Sequence, residues 1–151
     1  MLELFVAAAL NTANFIPAAP ADFRFGQAIE THDFSAVCAS HTVRELDPAE
    51  MPLATTSHVQ VDCEGYHYFG SGRLAEFVFA DGALTHVWVL VEESDLDPLQ
   101  SAFEDAFGAP DAEAPVFAAF FNDRAAVRRD VPEALYYGEA AAPLFEGFFS
   151  Q

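Results

Sequence analysis

Cys63, Glu64, Tyr66 and His67 fall within one five-residue stretch of the run "VQVDCEGYHYFGSG". A thiol, a carboxylate and an imidazole so close together are the raw material of a nucleophile pair or of half a zinc site. Backbone geometry decides whether they can cooperate. On a helix, residues four apart meet on one face. On a strand, Cys63 and His67 share a face but stand roughly 13 Å apart, at about 3.3 Å per residue. Val59, Val61 and Cys63 alternate with Gln60, Asp62 and Glu64, Gly65 interrupts the run, and Gly70-Ser71-Gly72 follows. That pattern favours strand over helix. The stretch reads as extended chain, with Cys63 a core thiol or disulfide partner and His67 a partly buried spacer.

The remaining reactive combinations are weaker. In "VCASHTVRE", Cys38 and His41 share a face if the segment is helical, but no orienting group or oxyanion pocket accompanies them. The five histidines, His32, His41, His58, His67 and His86, have no HExxH or other tight metal spacing. The acid pairs Glu92-Glu93, Asp95-Asp97 and Glu104-Asp105 suit capping of orphan amides and the helix dipole as well as acid/base work. In "RAAVRR", Arg124, Arg128 and Arg129 read as local counter-charges to Asp123, Asp130 and Glu133. No catalytic residue, metal ligand or cofactor follows from these patterns. Cys38 and Cys63 fit one disulfide in an exported protein or two buried thiols in a cytosolic one, and the bridge would stabilise by about 3 kcal/mol.

Composition narrows the classes. The chain has 151 residues, 52% hydrophobic and 14% aromatic with 16 Phe, enough for one well-filled core. Against 24 acids stand 6 bases, all arginine, for a formal net charge of −18. Such a field repels nucleic acid and anionic lipid, and the absence of lysine removes Schiff-base chemistry and a Walker-type phosphate loop. Residues 1–21 form an apolar N-terminal segment. It ends in Ala19-Pro20-Ala21, which has the small-x-small form of a signal-peptidase site, but Glu3 replaces the usual positive region. The two readings are a secretory signal and an uncleaved amphipathic helix. A periplasmic or secreted location is favoured slightly over a cytoplasmic one. No run is long and apolar enough for a membrane span.

Residues 22–151 read as a single α+β domain: an antiparallel meander over about 58–92, a packing helix over about 97–107, and further strands and helices at both ends, with about four to six strands in all. Asp81-Gly82 suits a type I′ turn. Asp97 and Pro98 read as N-cap and first residue of the helix, with Leu99, Ala102, Phe103 and Ala106 as its apolar stripe. A helix around Phe34 to Val43 and a loop with two prolines precede the meander. "PVFAAFF" and "EALYYG" read as strands, and "AAPLFEGFF" as a terminal helix or apolar tail.

Regular hairpins would set Phe77 opposite His86, Ala75 opposite Trp88 and His67 beside Ala75. One face would then hold Val61, Cys63, Phe77, Phe79, Trp88 and Leu90. The other would hold Asp62, Glu64, Tyr66, Tyr68 and Glu76, a mixture of tyrosines and carboxylates suited to a basic partner. The leading expectation is a noncatalytic binding or accessory protein that engages a protein or peptide through those five residues. The alternatives are a small enzyme whose site joins His32 or His41 to the sheet acids, or uses Cys38 with His41, and a structural homo-oligomeric subunit.

Overall fold

The computed structural model describes residues 14–151. The chain is mixed α+β and is built on one antiparallel sheet. A four-residue helix, α1 (Phe34–Val37), precedes β1 (Ser40–Leu46), β2 (His58–Tyr68), β3 (Ser71–Ala80) and β4 (Ala83–Leu90). The long helix α2 (Leu96–Phe107) follows, then β5 (Ala112–Ala114), β6 (Phe117–Phe120), β7 (Ala125–Arg128), β8 (Glu133–Tyr137) and α3 (Ala142–Phe149). The sheet has eight strands in the order β1-β2-β3-β4-β8-β7-β6-β5. Two runs of locally paired strands thus meet along β4 and β8, where Trp88 lies opposite Leu135. The bulk of the apolar N-terminal segment, residues 1–13, lies outside the described residues.

Three sequence expectations need correction. The sheet is larger than four to six strands, because "SHTVREL", the short "AEA" and the Ala-rich "AAVR" also pair into it. The helix expected from Phe34 to Val43 stops at Val37. The backbone N–H of Cys38 closes the turn onto the Phe34 carbonyl, and residues 40–46 pair with β2 instead. A disulfide between Cys38 and Cys63 (Cα–Cα 5.3 Å) pins that change of direction. Lastly, α2 begins at Leu96 rather than at Pro98. Glu92 and Asp95 form a capping box on the 3₁₀ turn leading into it, and Asp97 bonds Arg129 instead of capping.

Two single-residue irregularities set which side chains face which way. In β2 the pairing with β3 shifts between Cys63 and Tyr66. Gly65 takes φ +75°, and a Cβ there would stand 2.8 Å from the Ala39 Cβ, so the site needs glycine on both counts. In β4 the shift falls at Thr85, between the pairs Val78–His86 and Phe79–Leu84. Thr85 donates its hydroxyl to the Val78 carbonyl, and its own carbonyl accepts from Gly138 N–H. Each insertion exchanges inward for outward beyond it. Phe77 therefore lies opposite Val87, Ala75 opposite Val89 and Tyr66 opposite Arg73.

The inner face carries the main core. Val61, Cys63, Tyr66, Tyr68, Phe77, Val87, Val89 and Tyr136 pack there under Phe23, Phe34 and the α2 residues Leu96, Leu99 and Phe103. Buried Arg73 anchors this layer, reaching Asp95 at 2.6 Å and the carbonyls of Tyr68 and Phe69. The outer face has two smaller apolar clusters. One lies under α3 around Leu135, Tyr137 and Phe149, the other under the 51–54 loop around Met51 and Val78. Trp88 borders both.

Candidate functional site

The outer face beside those two clusters brings carboxylates and exposed apolar surface together. Cross-strand pairing sets Asp62 beside Glu76, Glu76 beside Trp88, and Trp88 beside Leu135. The next row runs from Leu90 through Glu133 and Arg128 to Phe117. Asp62 accepts from Arg44 at 2.8 Å and from Gln60 at 2.8 Å, and Gln60 also reaches Glu76 at 3.2 Å. Glu64, on the same strand, accepts from the Ser40 hydroxyl at 3.1 Å. Arg128 spans Asp130 at 2.8 Å and Glu133 at 3.2 Å while its guanidinium lies 5.9 Å from the Trp88 ring centre. Five carboxylates, Asp62, Glu64, Glu76, Asp130 and Glu133, thus share this region with two guanidiniums, Arg44 and Arg128.

Beside the charges opens a groove of about 390 Å³, lined by Trp88, Phe117, Arg128, Phe145, Phe148 and Val116 among others. α3 forms one wall. Its Phe145 ring meets His86 and Trp88 edge-on, at 4.9 and 6.0 Å between centres. Phe148, by contrast, is 61% exposed, and Val116, which also lines the groove, is 44% exposed. Large apolar side chains left open beside a rim of charges mark a surface that can take a partner.

The environment shifts two of the carboxyls upward. Burial pushes Glu133 to about 7, reinforced by the charges of Glu76 and Asp130 and opposed by Arg128. Burial and the neighbouring Asp62 charge also raise Glu76. His86 moves the other way: burial, then the nearby His58, lower it to about 3, so it stands neutral beneath α3.

The structure separates the five residues that the sequence pattern grouped. Asp62, Glu64 and Glu76 belong to the outer-face strand positions, whereas Tyr66 and Tyr68 are turned inward by the Gly65 bulge and buried in the main core. The Tyr66 hydroxyl donates to Asp22 at 3.0 Å, and burial with that carboxylate raises its phenol well above the usual range. Trp88, expected on the core face, is turned outward by the Thr85 bulge, and Leu90 with it. Sequence reasoning missed Trp88, Phe117, Phe145 and Phe148 as a group. The hint it held was an apolar C-terminal run that a lone terminal helix has no need to bury completely.

The other reactive combinations separate as well. Cys38 and Cys63 are bonded to each other, and His41 is an exposed residue of β1 whose ring lies 5.6 Å from that of Phe34. A second cavity, of about 310 Å³, is lined by Asp22, Arg24, His32 and Asp33. His32 Nδ1 donates to the Ala28 carbonyl at 3.0 Å. Its Nε2 is enclosed, and its ring stacks on Phe34, so the free nitrogen does not reach the cavity's acids. Among the described residues, no group of three or more His, Cys, Asp or Glu side chains stands close enough to hold a metal ion. Among them, too, no helix is long and apolar enough to cross a membrane. No family model, curated protein or solved structure matches the chain.

Proposed function

We propose that this chain is a noncatalytic binding protein whose outer sheet face takes a basic, amphipathic peptide segment of a partner protein. The observation that carries this reading is the position of Trp88, between the open apolar groove of Phe117, Phe145 and Phe148 and the carboxylate Glu76, with Glu133 opposite Leu90 in the adjoining row. Apolar side chains of the segment enter the groove, and its lysines or arginines meet Asp62, Glu64 and Glu76. A net charge of −18 steers such a segment toward the surface and disfavours anionic competitors.

Trp88 is the single tryptophan, so its fluorescence reports on the groove directly. Titration with a synthetic peptide alternating Lys/Arg with Leu/Phe is expected to shift Trp88 emission saturably, and added salt to weaken the binding. An acidic peptide of the same apolar content should leave the emission unchanged. Charge reversal at Asp62 and Glu76, or Phe148→Asp, is expected to weaken binding about tenfold or more. Equal response to both peptides, or indifference to these substitutions, would reject the reading.

A further inference from the structure

The two edges of the sheet are unequal. At one end β5 has three residues between Pro110 and Pro115, a short and proline-flanked edge. At the other, β1 runs seven residues, Ser40-His41-Thr42-Val43-Arg44-Glu45-Leu46, with no proline, and six of the seven are exposed. Among the described residues nothing pairs with its free side. Long edges without proline, bulge or cover are the ones that accept another strand.

We infer that β1 pairs antiparallel with β1 of a second copy of this chain, about a two-fold axis at Val43. Val43 is the middle residue of the strand, so this register alone pairs all seven positions. It sets Val43 against Val43, His41 against Glu45 twice, Thr42 against Arg44 twice, and Ser40 against Leu46 twice. No like charges oppose each other. Centring on Arg44 or Glu45 instead would bring two guanidiniums or two carboxylates together, which is unfavourable in a cross-strand pair. A two-fold axis makes each complementary contact occur twice.

The core supports the same register. Val43 lies opposite Val61, and that row continues inward through Phe77, Val87 and Tyr136. All of these are buried except Val43, which ends the row at 52% exposure. Pairing at Val43 joins the apolar rows of two molecules into one. Because the axis is perpendicular to the sheet, both outer faces, each with its Asp62 and Glu76, lie on the same side.

Sedimentation of the full chain across a concentration series tests this. The mass is expected to rise from 16.4 kDa toward twice that value. Val43→Lys, at an exposed position, places two ammonium groups at the axis and is expected to weaken the dimer about tenfold or more. His41→Glu or Glu45→Lys alone is expected to weaken it too, and the double variant, which again sets opposite charges against each other, to restore it. Val43→Cys is expected to give a disulfide-linked dimer, since directly opposed residues lie within bridging range. Circular dichroism of each variant checks the fold, and the His41/Glu45 series decides if Val43→Lys does not fold. A chain that stays monomeric, a dimer indifferent to these changes, or a double variant without restoration would overturn the inference.

Discussion

The hydroxyls of Tyr68 and Tyr136 lie 2.7 Å apart in the main core, and their proton order is fixed by a third group. Tyr136 donates to the Pro17 carbonyl at 2.7 Å, so Tyr68 is the donor to Tyr136. Two consequences differ in size. Tyr68→Phe removes one donor and leaves Tyr136 satisfied, at a cost of about 1 kcal/mol. Tyr136→Phe strands both the Tyr68 hydroxyl and the Pro17 carbonyl and is expected to cost about 2–4 kcal/mol. Urea denaturation of the two variants checks the order. Equal losses would place the Pro17 segment outside the cooperative unit.

Gly65 combines a positive φ with a tight approach, and Gly82 has a positive φ alone. Gly82→Ala is expected to cost about 1–2 kcal/mol, the backbone term by itself. Gly65→Ala adds the encounter with Ala39 and is expected to cost about 2–4 kcal/mol. The difference between the two melting curves isolates the crowding at the bulge.

Glu133 makes stability depend on pH in an unusual direction. Its folded value, about 7, lies above that of the unfolded carboxyl, so the folded chain holds a proton the unfolded chain has released. Stability from this group is present below about pH 4.5 and is lost as pH rises through about 7. Glu133→Gln is expected to flatten the stability profile across that window, while the groups facing it (Glu76, Arg128 and Asp130) remain in place. A cationic peptide near Glu133 favours its ionised form. On the proposed function, the affinity followed by Trp88 fluorescence therefore rises between pH 6 and pH 8 in the native chain, and much less in the variant.

Asp81 occupies the β3–β4 turn at φ +52° and gathers the 55–57 segment. Its carboxylate accepts from the N–H groups of Thr55, Thr56 and Ser57 and from both threonine hydroxyls. These bonds hold it well below the usual carboxylate range. The stability they confer is present above about pH 4 and fades as the medium is acidified further. Asp81→Asn keeps the turn, because asparagine tolerates the same backbone region, and removes the charge. It is expected to lower the melting temperature at neutral pH by several degrees and to erase the difference in strong acid.

The α+β class and the antiparallel sheet were legible in the alternation of Val59, Val61 and Cys63 and in the Asp81-Gly82 turn. The facing of the side chains was not. Gly65 and Thr85 each add one residue to one strand, and the alternation that reveals a strand gives no notice of such an insertion. The result exchanged Tyr66 and Tyr68 for Trp88 on the outer face. β1 was hidden for another reason: "SHTVREL" carries no strong apolar period, and its pairing with β2 and the Cys38–Cys63 bridge decide its conformation. Of the candidate site, the acids Asp62, Glu64 and Glu76 could be read from strand alternation. The groove could not, because Trp88, Phe117 and Phe148 come from elements far apart in sequence.

The junction of β4 with β8 has a kinetic consequence. Among the described residues every other strand pairing links elements that follow one another along the chain, whereas His86 meets Tyr137 only across about 50 intervening residues. Each half can assemble by quick local zippering, but the core row from Phe77 to Tyr136 is complete only when the halves dock. Closing that junction is therefore expected to be the slow step of refolding.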